Sequence, residues 1–228
     1  MTAEEYFGDW MKVIGRDELI MIMRWLKTVS PNSLCPQQQN IFKAFKACSY
    51  DDCKVVFLGQ DPYPQPGVAT GILFGNSVDT PEDLLSPSLK VIKEAAIDYT
   101  VPHGVIEFDN TLESWANQGI LMINTALTCT VNQVGSHYTI WRPFVSKLLY
   151  NMSSMNNGLI YVLFGNQALS FRDSIVGQQH IITEYHPAYY ARRGTKLSPL
   201  LFKEINKILK GMYNQEIEFY KETDYGTC

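Results

Sequence analysis

The chain has 228 residues, of which 46% are hydrophobic, 12% aromatic and 18% charged. That supports a sizeable buried core and excludes a disordered or fibrous chain. Its 19 Lys and Arg against 23 Asp and Glu give a net charge of −4, which alone argues against a nucleic-acid partner, since phosphate neutralisation needs cations.

That balance is uneven along the sequence. Residues 1–136 carry nine basic and sixteen acidic side chains, residues 137–212 nine and three, and residues 213–228 one and four. The acidic start Met1-Thr2-Ala3-Glu4-Glu5 lacks the basic-then-apolar pattern of a secretory signal. No run approaches the ~18 apolar residues of a membrane helix. An intracellular, cytoplasmic protein with no membrane association is expected. Cys35, Cys48, Cys53, Cys129 and Cys228 form no C-x-x-C pair, so they read as reduced thiols and no metal site is expected.

Helices are predicted over residues 3–14 and 17–28, then over 36–48, where Ile41, Phe42 and Phe45 keep helical spacing. The first strand, Lys54–Gly59, runs into Gly59-Gln60-Asp61-Pro62-Tyr63-Pro64. Its prolines stiffen a turn that continues neither strand nor helix. A helix over Pro87–Ile97 and another over Phe108–Asn117 lead to a second strand, Ile120–Leu127. Helix Trp141–Tyr150, strand Leu159–Gly165, helix Asn166–Ser174 and strand Ile181–His186 follow. A loop carrying Tyr189-Tyr190-Ala191-Arg192-Arg193, a helix over Ser198–Lys210 and an acidic tail from Tyr213 complete the chain. The tail suggests nothing beyond solubility.

Near-continuous apolar strands alternating with helices predict an α/β fold. The expected form is a single three-layer domain over residues 1–228, with a central four-stranded parallel sheet flanked by helices. Residues 1–35 would add N-terminal helices and residues 213–228 the acidic tail. Such sheets bind ligands beyond the carboxyl ends of their strands, where Asp61, Asn124 and His186 fall. Singly these are an ordinary turn cap, a turn amide and a structural histidine. Together an acid, an amide and an imidazole suit a pocket for a polar planar ring beside a developing charge.

At these positions the chain resembles the family 1 uracil-DNA glycosylases, from about Pro36 to Lys210. The family's G-Q-D-P-Y block stands at Gly59 to Tyr63, its P-S-L at Pro87-Ser88-Leu89 and its L-E-S-W-A-x-Q-G at Leu112–Gly119. The strand-end N-T stands at Asn124-Thr125, S-H at Ser136-His137, H-P at His186-Pro187 and R-G at Arg193-Gly194. The order and spacing of the blocks make the match specific.

The resemblance implies hydrolysis of the bond between uracil and deoxyribose in a flipped-out nucleotide of DNA, with no metal or cofactor. Asp61 would orient water and stabilise the sugar cation, and His186 would hydrogen-bond uracil O2. Asn124 would read uracil N3–H and O4, Tyr63 would exclude thymine's methyl, Phe74 would stack on the base and Gln60 would complete the pocket. Ser88, the Ser136-His137 pair and the backbone amides near Gly165-Asn166 would contact phosphates, with Arg192 and Arg193 in the basic segment. Either Tyr189 or Tyr190 would fill the space left by the flipped base. Single- or double-stranded DNA containing uracil is the implied partner of a monomeric enzyme, and an acidic DNA-mimicking inhibitor protein is another by resemblance only. Pro64, Ala188 and the two tyrosines depart from the family pattern, at positions concerned with DNA grip. The other readings of the sequence are a glycosylase-like DNA-binding scaffold with little turnover, and a mismatch-type enzyme releasing thymine or damaged bases.

Overall fold

The computed structural model describes residues 2–223; Met1, Cys228 and the end of the acidic tail lie outside them. In chain order, helices α1 (Ala3–Phe7) and α2 (Arg16–Leu26) precede the short strand β1 (Leu34–Cys35) and helix α3 (Lys43–Ala47). Strand β2 (Val55–Gly59), helix α4 (Pro87–Ile97), strand β3 (Val105–Glu107), helix α5 (Glu113–Ala116) and strands β4 (Ile120–Asn124) and β5 (Cys129–Thr130) come next. Helix α6 (Tyr138–Met155), strand β6 (Ile160–Phe164), helix α7 (Gly165–Leu169), strand β7 (His180–Glu184), helices α8 (Pro187–Arg193) and α9 (Leu200–Tyr213) and strand β8 (Lys221–Thr223) complete the order.

Four strands form the central sheet in the order β4-β2-β6-β7, all parallel, with Val55 beside both Ile120 and Ile160. Alternate residues of β2 serve opposite faces, as the pleat requires. Val56 and Leu58 join Trp10, Phe45, Trp141 and Phe144 in one core. Val55 and Phe57 join Trp115, Phe164, Phe202 and Phe219 in the other. The sheet is therefore covered by helices on both sides. Among the described residues, no helix is long and apolar enough to cross a membrane.

Several boundaries differ from those expected. The helix expected over Phe108–Asn117 is cut to α5. The Asp109 carboxylate accepts from the amides of Thr111 at 2.9 Å and Ser114 at 2.8 Å, and Leu112 takes a left-handed φ of 60°. This side-chain turn competes with helix. The helix expected over 36–48 breaks into a 3-10 turn at Gln38–Asn40 and α3. The segment expected as a loop at Tyr189–Arg193 belongs to α8: Pro187 occupies its first turn, His186 caps it and Gly194 ends it at φ 62°.

The acidic tail is not merely a solubilising extension. Ile217 and Phe219 are buried, and Asn206 brackets Ile217, donating to its carbonyl at 2.9 Å and accepting from its amide at 2.8 Å. Trp115 Nε1 donates to the Phe219 carbonyl at 2.9 Å, and β8 then pairs with β3.

Candidate active site

Chain direction across the sheet reverses at β2: the chain passes to β4 on one side and then to β6 on the other. Loops leaving β2 and β6 diverge there, which opens a crevice at the carboxyl ends of the strands. A cavity of about 260 Å³ occupies this end, and Gln60, Asp61, Tyr63, Phe74, Ser88, Asn124, His186 and Arg192 all line it.

Asp61 follows β2 directly. Its Oδ2 accepts from the Gly135 amide at 2.7 Å. Burial pushes its carboxyl up, opposed by that amide and by the nearby Tyr138 hydroxyl. Gln60 is fixed through its carbonyl, which accepts from Thr125 Oγ1 at 2.6 Å. Tyr63 donates from its hydroxyl to the Phe74 carbonyl at 3.1 Å, and burial raises that phenol well above its usual range. Phe74 adopts a φ of 64°, an uncommon conformation for a bulky residue. Its ring meets those of Phe164 and His186 edge-on at 5.2 and 5.6 Å.

Asn124 ends β4 beside Gly59. Its Oδ1 is buried and has no hydrogen-bond partner among the described residues. A Cβ on Gly59 would lie 2.8 Å from that oxygen, so glycine is what lets the amide sit so close to β2. An unsatisfied buried acceptor is costly, and it is the kind of group a ligand N–H satisfies.

His186 caps α8, and its Nδ1 accepts from the Ala188 amide at 3.2 Å. The neutral ring therefore carries its proton on Nε2. Burial, aided by the Arg192 charge, pushes the imidazole pKa down to about 4, so the ring is neutral at physiological pH.

The remaining expected contacts lie elsewhere. His137 is buried, with Nδ1 2.9 Å from Thr128 Oγ1 and Nε2 3.1 Å from Thr130 Oγ1, and its ring packs on Trp25. Ser136 accepts from the Thr130 amide at 2.8 Å. Tyr190 packs against the second core and donates to Glu184 at 2.5 Å. Tyr189 stacks on Tyr185, and the Arg193 guanidinium lies 4.8 Å from the Tyr189 ring centroid. Lys196, counted in the basic segment, pairs with Glu94 at 2.6 Å and Asp98 at 3.6 Å.

Gly135, Tyr138 and Val134 bear on the site but were not expected from the sequence. Gly135 and Tyr138 act on Asp61, and Val134 lines the cavity while 61% exposed. Only the glycine before Ser136-His137 hinted at them. Among the described residues, no group of three or more His, Cys, Asp or Glu side chains is placed to hold a metal ion.

Residues 45–210 match the model of the Uracil DNA glycosylase superfamily. Uracil-DNA glycosylase 1 of Listeria innocua is 32% identical over 217 residues, covering 92% of this chain and 88% of the relative. The uracil-DNA glycosylase of Aliarcobacter butzleri is 35% identical over 80% of this chain and 84% of its own length. The crystal structure of mimivirus uracil-DNA glycosylase superposes with a TM-score of 0.71 at 23% identity, over 96% of this chain and 93% of that one. A mimivirus UNG variant in complex with UGI gives 0.70 at 22% identity, over 92% and 90%.

Proposed function

Since the chain belongs to the uracil DNA glycosylase superfamily, we infer that it is a uracil-DNA glycosylase that hydrolyses the N-glycosidic bond of a flipped-out deoxyuridine. Release of uracil leaves an abasic site, the opening step of base-excision repair. The observation that carries this reading is the orphaned Asn124 acceptor in a cavity that also holds Asp61 and a neutral His186.

In the proposed complex Asn124 Oδ1 accepts from uracil N3–H and its amide nitrogen donates to O4. Cytosine offers the opposite pattern and would leave buried groups unpaired, which a pocket rejects by roughly 10,000-fold. Tyr63 stands against C5, and Phe74 offers its ring to the base. As the bond to the sugar lengthens, negative charge gathers on uracil O2. The Nε2–H of neutral His186 donates there without a second proton to lose. Asp61, held by Gly135, faces the opposite charge: it stabilises the cationic sugar and orients the attacking water.

We further propose that the enzyme works as a monomer in the cytoplasm on single- and double-stranded DNA. Ser88 and Arg192, at the cavity wall, are the proposed phosphate contacts. The mimivirus variant seen with UGI supports proposing a DNA-mimicking acidic protein as a partner for the same mouth.

The test is incubation with a uracil-containing oligonucleotide under EDTA, followed by measurement of free uracil and alkali-labile breaks. Release under chelation is expected. No release with DNA binding intact would leave the scaffold reading, and efficient release of thymine from G·T pairs would leave the mismatch reading.

A further inference from the structure

Beside the uracil cavity, and sharing no lining residue with it, lies a second shallow cavity of about 280 Å³ between the turn from β6 into α7 and the end of β7. Gly165, Asn166 and Tyr185 line it. Tyr185, one residue before His186, is 60% exposed despite being a large aromatic.

Its ring is braced from behind. Tyr185 stacks on Tyr189 with centroids 4.5 Å apart and planes 16° from parallel. The Arg193 guanidinium lies 4.8 Å from the Tyr189 centroid. Tyr189 is half-buried and Tyr185 is exposed, so Tyr185 is the open end of the stack. Tyr190 buttresses both tyrosines edge-on at 6.3 and 5.5 Å. Glu184 ties the arrangement down, accepting from the Tyr190 hydroxyl at 2.5 Å and the Tyr185 amide at 2.7 Å. The ring is thus presented rather than left loose, and little rotamer freedom remains to lose on binding.

We propose that Tyr185, backed by Tyr189 and Arg193, is a stacking platform for an unpaired nucleobase next to the flipped uridine, and that it biases the enzyme toward single-stranded DNA. This rests on the glycosylase reading above. Two observations select a base as the occupant. The open group is an aromatic face, on which every base can stack. Gly165 in the wall of the platform's cavity lies against His186, whose Cβ would be 3.1 Å from a Cβ placed on that glycine, so a nucleotide there adjoins the one in the uracil cavity. A base can reach the platform only by leaving its partner, which costs little in a single strand and a base pair in a duplex.

The test uses oligonucleotides with 2-aminopurine on either side of uracil, single-stranded or in duplex, and three proteins: wild type, Tyr185→Leu and Tyr185→Trp. The expected result is fluorescence quenching at one flanking position on binding of wild type, lost in Tyr185→Leu and kept in Tyr185→Trp. In uracil release, Tyr185→Leu raises KM for single strands about tenfold, within the range of base–aromatic stacking, and raises KM for duplex much less. The loss falls on KM rather than kcat, and Tyr185→Trp restores it. Absence of quenching at both positions with wild type overturns the platform, whatever the variants do. Equal KM changes on single strands and duplex also overturn it. A wild-type protein that releases no uracil defeats the glycosylase reading instead, so the two failures are distinguishable.

Discussion

His186 carries two jobs on one ring. Nδ1 accepts from the first turn of α8, while Nε2–H remains for the base. Its folded pKa of about 4 lies below the ordinary 6.5, so the unfolded chain takes up the proton first as pH falls. The stabilisation from keeping the ring neutral is therefore complete above about pH 6.5 and is lost progressively down to about pH 4. An NMR titration of the imidazole should give a midpoint near 4 in the wild type and a higher one in Arg192→Ala, because the arginine charge contributes to the depression. A wild-type midpoint near 6.5 would show that burial does not depress the imidazole, and one above about 7.5 would leave the ring charged and contradict the neutral-donor mechanism. Asn124 supports an independent prediction. Asn124→Asp, protonated at the base-facing oxygen, should release cytosine from DNA while losing at least tenfold in kcat/KM for uracil; a variant that keeps wild-type selectivity would contradict the pairing.

At the scale of elements, the site depends on close contacts between β2 and β4. Gly59→Ala would place Cβ 2.2 Å from Leu73 Cδ1 and 2.8 Å from Asn124 Oδ1. The leucine tip can swing aside, but the amide is displaced from the base. Thermal melts should show a loss of about 1–3 kcal/mol, and uracil release should fall at least tenfold with cytosine still excluded. The C-terminal segment gives a second test. Asn206→Ala leaves the buried amide and carbonyl of Ile217 without partners, which should cost about 1–3 kcal/mol in urea unfolding while sparing kcat; an unchanged midpoint would show the segment to be loosely held. The sequence did contain signals for both elements that differed from expectation. Glu216-Ile217-Glu218-Phe219 alternates polar and apolar, as a half-buried extended segment does. Pro187 and Gly194 bracket α8 with ordinary helix start and stop signals, which the resemblance to a family loop overrode.

For the whole molecule, the net charge of −4 leaves a sparse cationic rim around the cavity. Lys196 pairs with Glu94 and Asp98, and Arg193 lies against Tyr189; among the described residues, Arg192 is the cation that lines the cavity. DNA affinity should accordingly be modest and fall with salt. Arg192→Ala should reduce the slope of log affinity against log salt by about 0.7 on single strands, and an unchanged slope would move the DNA path away from α8.

The sequence by itself determined the parallel sheet and its four strands, because apolar runs such as Val55–Leu58 and Ile160–Phe164 can only be buried on both faces. It also put Asp61, Asn124 and His186 at strand ends, because local turn chemistry stops each strand there. Tertiary structure alone decided which side chains share the cavity. Ser88 and Arg192 reach it, while His137 is drawn into the interior by two threonines and a tryptophan. The same holds for Tyr185 and its stack, and for the ionisation of His186. Each depends on neighbours brought from distant segments or across a turn, and on the water that packing removes, neither of which is written in local sequence.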